Sequence, residues 1–198
     1  MSKKKRVVIF ISGRGSNMQR LIEAASEPDY PAQIVGVIAN NADAKGIEYA
    51  KSHGINTAVI SPADYGGKAK TDAAINKQLA DWQTDIIALA GYMRLLGADF
   101  CKKWHGKLIN IHPSLLPAFK GLNTHARALE NHASEHGCTV HFVTAQMDDG
   151  PIIGQILVPI QNADTVEILE ERVLIAEHNL YPWALAQVAS GEITFENN

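Results

Sequence analysis

An asparagine and a histidine two residues apart, Asn110 and His112, close an apolar run over residues 108–111. On a strand, residues i and i+2 share a face. The two side chains would therefore project together from the strand's carboxyl end, where open α/β sheets take their ligands. An amide N–H beside an imidazole suits a developing oxyanion and a moving proton. The same pair could instead be buried and satisfy loop carbonyls. Pro113 and Pro117 fix their own φ and hold His112 and Leu116 extended, so a short strand runs into a stiff loop. Asp148 and Asp149, further along, are either ordinary turn formers or the source of a carboxylate that reaches His112 and holds its tautomer.

A second constellation lies near the amino terminus. Gly13-Arg14-Gly15-Ser16-Asn17 separates an apolar run, 7–11, from a helical pattern, 18–25, in which Met18, Leu21 and Ile22 recur at three and four. Strand, glycine turn and helix start make an anion site out of free backbone N–H groups and the positive helix end. The Gly-Lys-Ser/Thr ending of a Walker loop is absent. Met18 stands where a dinucleotide fingerprint needs its third glycine, and Asn40-Asn41 where it needs an acid. A nicotinamide cofactor is thereby disfavoured and a single phosphate fits better. A purely structural glycine turn is the alternative. A serine-hydrolase elbow is missing too, because Asn17 and Met18 follow Ser16. His132 and His136 lack the zinc-protease pattern and read as a polar surface turn, so no metal site is expected. Cys101 and Cys138 form no metal-type spacing and read as reduced thiols.

These groups must be positioned by an alternating chain. Strands are expected at 7–11, 34–39, 57–60, 86–90 and 108–111. Helices are expected at 18–25, 43–53, 69–82 and around 99–104. Such alternation implies a doubly wound, mostly parallel sheet. The segment 93–96, shortly after Gly91, is either plain core or one wall of an apolar slot for a flat heterocycle. After a long irregular stretch, 114–123, a helix is expected at 124–131. Runs at 140–144 and 152–159, joined by a turn over 147–151, suit antiparallel pairing. A final helix starts near Asp164-Thr165, should kink or break at Pro182, and ends by Gly191. The fold class is therefore α/β, with antiparallel strands towards the carboxyl terminus, in one domain over residues 1–198.

Composition sets outer bounds. A hydrophobic share of 46% and a charged share of 20% suit a globular chain with a substantial core. A formal net charge of −3 supplies no basic field for nucleic acid. No apolar run reaches membrane-spanning length. Lys3-Lys4-Lys5-Arg6 reads as a solvated lead-in to an internal strand, because the apolar run behind it is too short for a signal peptide.

Asn-Ile-His-Pro-Ser-Leu-Leu-Pro at 110–117, with Gly121 following and Asp148-Asp-Gly-Pro151 downstream, resembles the signature of the folate-dependent formyltransferases. The resemblance runs from Ile11 to about Trp183. It implies a Rossmann-like formyltransferase fold, with phosphate held by the amino-terminal half and folate and chemistry by the carboxyl-terminal half. Ile-Ser-Gly-Arg-Gly-Ser-Asn at 11–17 narrows it to the branch that formylates glycinamide ribonucleotide in purine synthesis. A chain of this length also leaves no room for the extra domains of members that act on methionyl-tRNA or hydrolyse the folate.

The resemblance implies Asn110, His112 and Asp148 as catalytic residues. It implies Gly15, Ser16 and Asn17 for the substrate phosphate and Glu177 for its ribose. For the folate it implies Met93, Arg94, Leu95, Leu96, Asn110, Thr144 and Asp148, with Lys68 where relatives often carry arginine. That exchange keeps the charge and loses bidentate geometry. Ala118 and Lys120 also depart from common members. The implied co-substrate is 10-formyltetrahydrofolate with no metal. The implied setting is the cytoplasm, as monomer or homodimer, without nucleic acid or membrane. Formyl transfer to an amino-sugar nucleotide, hydrolysis of 10-formyltetrahydrofolate, and a non-catalytic folate- or nucleotide-binding module are the alternatives.

Overall fold

Strand β1 (Lys5–Ile11) shows what builds the molecule. From Val7 onward all of its side chains are buried, as in a parallel strand covered on both faces. The computed structural model, which describes residues 3–197, separates those side chains by face. Val7, Ile9 and Ile11 join one core, while Val8 and Phe10 join another.

The elements follow in the order β1, α1 (Ser16–Ala25), β2 (Ala32–Ala39), α2 (Gly46–Ser52), β3 (Asn56–Val59), α3 (Pro62–Tyr65), α4 (Lys68–Asp81), β4 (Ile86–Leu89), α5 (Ala98–Lys103), β5 (Leu108–His112), α6 (Thr124–Glu130), β6 (Glu135–Phe142), β7 (Ile152–Pro159) and α7 (Val166–Ser190). One seven-stranded sheet runs β3-β2-β1-β4-β5-β6-β7. The first five strands pair in parallel, and β6 is antiparallel to both β5 and β7. The expected doubly wound sheet with antiparallel strands at its carboxyl-terminal side is what forms. Met18, Leu21 and Ile22 of α1 cover one face with α2 and α7. Ile75 and Leu79 of α4, with Phe100, Cys101 and Trp104, cover the other.

Several expected boundaries move. Strand β6 begins five residues before the anticipated 140, and a short helix, α3, precedes α4. Helix α7 does not break at Pro182 but runs on to Ser190. Proline deletes one N–H from the ladder. Around it Leu180, Tyr181, Ala184 and Leu185 are buried, and the Tyr30 hydroxyl donates to the Pro182 carbonyl at 2.6 Å. Packing thus holds the helix together across the defect. The basic lead-in is structural at its end: Arg6 donates to the Trp82 carbonyl, at the end of α4, at 2.9 and 3.0 Å. No described helix is long and apolar enough to cross a membrane.

Tyr181 ties α7 to the sheet. Its ring is fully buried and its hydroxyl donates to the Leu89 carbonyl at 2.9 Å. Tyr181→Phe removes this donor and leaves a buried carbonyl short of a partner. Urea unfolding should show a loss of about 1–2 kcal/mol, and an unchanged midpoint would mean that the bond contributes nothing.

Candidate active site

Strand order reverses between β1 and β4, so the loops leaving their carboxyl ends diverge and open a crevice. A cavity of about 280 Å³ lies there, lined by Ser12 to Asn17 together with Ala90, Gly91 and Met93. Gly15 makes the turn possible: it occupies the N-cap position of α1 at φ 71°, ψ 36°, a left-handed conformation that favours glycine. The first-turn amides of α1 have no partner inside the helix. The exposed Arg14 adds a positive side chain to the same rim.

The two positions expected to hold opposite ends of one substrate meet here. Asn17 Nδ2 donates to Glu177 Oε2 at 2.6 Å, across the packed helices α1 and α7. Both residues are buried, and Asn17 Oδ1 lacks a protein partner. Burial pushes the Glu177 carboxyl up to about 7, against the opposing pull of the Asn17 hydrogen bond.

Met93 and Leu95 are not core, which disposes of the plainer reading of that stretch, although Tyr92 just before them packs into the second core. Met93 is 73% and Leu95 67% exposed, while Leu96 is half-buried against the second core. Arg94 turns inward and pairs with Asp72 at 2.7 Å. It also donates to the Lys68 carbonyl at 3.1 Å, which brings Lys68 and Arg94 together at the start of α4.

The third cluster stands at the end of β5, next to β4 in the sheet. His112 is 6% exposed. Its Nδ1 lies 3.6 Å from Asp148 Oδ2, and its Nε2 lies 3.1 Å from the Phe119 carbonyl. Asp148 adopts φ 51°, a left-handed conformation that aspartate tolerates better than most residues. Its Oδ2 accepts from the Gly121 amide at 2.9 Å. The neighbouring Asp149 pairs instead with Lys120. Of the two aspartates, the first meets the histidine. Asn110 Nδ2 lies 3.3 Å from Nε2 of His141, whose Nδ1 is 2.8 Å from the Phe142 carbonyl. That carbonyl requires N–H at Nδ1. Burial first of all depresses the His141 pKa, so the ring is neutral and Nε2 accepts from Asn110.

The loop beyond β5 is held by Thr139, which faces His112 in the β5–β6 register. Its hydroxyl donates to the Ser114 carbonyl at 2.6 Å and accepts from the Leu116 amide at 3.0 Å and Gln155 Nε2 at 2.8 Å. Thr144, by contrast, spends its hydroxyl on the local turn with Gln146.

Sequence reasoning missed Asp72 behind Arg94 and His141 behind Asn110, and it took Ser12 and Arg14 only as members of the 11–17 motif. Only His141 left a signal, since it sits within the apolar run at 140–144. The polar-turn reading of His132 and His136 holds for half of the pair. His132 does occupy a turn, at φ 50°. His136 lies on β6, is 1% exposed, and places Nε2 3.1 Å from His125 Nδ1. Burial, then the neighbouring His125 and His112, lower its pKa to about 4. Among the described residues no three or more His, Cys, Asp or Glu side chains are arranged to hold a metal ion.

The formyl transferase family profile matches residues 5–185. Phosphoribosylglycinamide formyltransferase of Haemophilus influenzae is 41% identical over 194 residues, which cover 98% of this chain and 92% of that protein. The bovine trifunctional purine biosynthetic protein adenosine-3 is 49% identical over 196 residues. The chain spans only 19% of that relative's length. A crystal structure of phosphoribosylglycinamide formyltransferase from Brucella melitensis superposes with a TM-score of 0.91 at 50% identity, covering 96% of this chain and 98% of that one.

The buried Glu177 carboxyl gives a pH signature. Its pKa is raised in the folded state, so its contribution to stability is fully present below the unfolded value of 4.5. It is lost as pH climbs to about 7. Glu177→Gln keeps an acceptor for Asn17 and removes the titration. The Gln variant's stability relative to wild type should therefore rise between pH 4.5 and 7, by on the order of 3 kcal/mol, and stay level above. Urea unfolding of both proteins across that range tests this; a difference independent of pH would contradict it.

Proposed function

Because the chain belongs to the formyl transferase family, we propose that it moves the formyl group of 10-formyltetrahydrofolate to the amine of glycinamide ribonucleotide, as a cytoplasmic enzyme of purine synthesis. The observation that carries this reading is the convergence of Asn110, His112 and Asp148 one strand away from the crevice at the start of α1. Neighbouring strands lie about 5 Å apart, so one small substrate can reach from the crevice at β1 and β4 to the end of β5. Residues 1–198 serve as a single formyltransferase domain.

In this reading the substrate phosphate sits on the amides of Gly15, Ser16 and Asn17, with Arg14 adding charge. Glu177 accepts from the ribose hydroxyls. The folate lies against Met93, Arg94, Leu95 and Leu96 and reaches towards Thr144 and Asp148, with Lys68 near its acidic tail. Holding both substrates together supplies much of the rate.

The glycinamide nitrogen attacks the formyl carbon, a new C–N bond forms, and the carbonyl electrons move onto oxygen. Asn110 meets that oxyanion with the second N–H of its amide, the first being engaged by His141. His112 gives up its bond to the Phe119 carbonyl and donates from the same nitrogen to the oxyanion. Asp148 holds the opposite nitrogen and helps to route a proton from the attacking amine to N10. Collapse of the intermediate then breaks the bond from carbon to N10 and releases tetrahydrofolate.

Incubation with 10-formyltetrahydrofolate tests the reaction. Tetrahydrofolate should appear only when glycinamide ribonucleotide is also present. Release without it would make the chain a hydrolase, and no release under either condition would make it a binding module. Asn110→Ala should lower kcat by roughly 10²–10³-fold while KM for both substrates stays near wild type. A variant that loses only affinity would make Asn110 a binding residue.

Gly15→Val tests the cradle. A Cβ at Gly15 would sit 3.1 Å from Met18 Cε on a backbone of φ 71°. The variant should raise KM for glycinamide ribonucleotide about tenfold or more, and the dephosphorylated substrate should bind wild type with comparable weakness. Equal affinity of wild type for the two substrates would remove the phosphate assignment.

A further inference from the structure

Residues 91–97 form neither helix nor strand, yet they present Met93 and Leu95 to solvent in a defined arrangement. What holds them is a carboxylate from another element. Asp72, in the second turn of α4, is 8% exposed. Its Oδ1 accepts from Arg94 Nη2 at 2.7 Å, and its Oδ2 accepts from the Gly97 amide at 3.0 Å. One carboxylate thus grips both ends of the four-residue bow 94–97. The near end of the segment has its own tie, from the Met93 amide to Ser12 Oγ at 2.8 Å.

Gly97 provides independent support. Its backbone, at φ −71° and ψ 153°, is open to any residue. A Cβ there would nevertheless lie 2.5 Å from Asp72 Oδ2. Glycine is needed at 97 because the carboxylate occupies the space a side chain would take. The ion pair is also well shielded, with side chains 10% and 12% exposed, so removing one charge leaves the other poorly solvated and unpaired.

We propose that Asp72 is a positioning residue for the folate: through Arg94 and Gly97 it sets the shape in which residues 93–96 meet the flat heterocycle. Both of its oxygens are engaged by protein donors, so it acts through the segment and does not touch substrate. The inference rests on the reading of 93–96 as the folate-binding segment.

Two variants test it from opposite sides. Asp72→Asn keeps the shape and an acceptor for the Gly97 amide but loses the charge opposite Arg94. Gly97→Ala keeps the charge and displaces it. Each should raise KM for 10-formyltetrahydrofolate roughly tenfold, with kcat and KM for glycinamide ribonucleotide close to wild type. Calorimetric titration of the full chain with tetrahydrofolate should show a matching loss of affinity. Should Asp72→Asn fail to fold, Gly97→Ala carries the test.

Unchanged folate KM and affinity in a folded variant would overturn the inference. So would a fall in thermal midpoint and active fraction that leaves folate KM intact, since that marks a merely structural role. If wild type itself binds no tetrahydrofolate, the folate reading of 93–96 fails, and the role of Asp72 fails with it.

Discussion

Everything at the carboxyl edge of this sheet depends on the reversal of strand order between β1 and β4. Parallel strands need crossovers, and right-handed crossovers place the helices after β1 and β4 on opposite faces. Helix α1 packs into one core and α5 into the other. The two loops must therefore part where the strands end, and no side chain has to be chosen for a crevice to open. The side chains decide only what the crevice holds. Gly15 lets the backbone turn at close quarters, and the start of α1 leaves amides facing the opening.

Around that crevice the protein buries polar groups that a plain core would avoid. Most of them have a partner within the fold, although Asn17 Oδ1 and Arg94 Nη1 have none. Glu177 is satisfied by Asn17, Asp72 by Arg94 and Gly97, Asp148 by Gly121 with His112 nearby, and Asn110 by His141. The partner comes from a distant element in almost every case: α1 with α7, α4 with the segment after β4, and the turn before β7 with the loop after β5. Desolvated polar pairs are costly when broken and offer little net stability when intact. Their effect here is geometric, because each pair locks one loop to one helix or strand and so limits the positions that the loop can take.

The parallel strands and the helices over them were legible because most of these strands carry an apolar run bounded by a glycine, a proline or a polar turn. The convergence of Asn110 with His112 follows from strand periodicity alone. That Asp148 rather than Asp149 reaches the histidine was suggested by the family resemblance, and in the structure Asp148 lies beside His112 while Asp149 pairs with Lys120. Less legible were the groups whose partners are remote in sequence. Asp72 sits on a mixed helix and looks like one more charge on a solvated face, and only Arg94, 22 positions away, gives it meaning. His136 looked like part of a polar turn because Glu135 and Gly137 flank it, whereas β6 starts early and carries it inward. Of the kink or break expected at Pro182, the break does not occur for a related reason: local preference yields to a helix buried along much of one side.

The loop after β5 joins the two lines of argument. Thr139 fixes its first turn through Ser114, Leu116 and Gln155, so the strand end bearing His112 is stiffly held. Further on, the loop closes over the ring itself, with the Phe119 carbonyl at Nε2 and the Gly121 amide on the carboxylate that faces Nδ1. Without substrate the imidazole thus has a protein oxygen beside each nitrogen. A reacting oxygen can use the His112 donor only by replacing Phe119, because the other side is already claimed by Asp148. Phe119 offers its carbonyl from a backbone at φ 53°, a conformation unfavourable for an aromatic side chain. In the proposed reaction the nitrogen beside Asp148 orients the ring, and the nitrogen beside the Phe119 carbonyl is the one that serves the substrate.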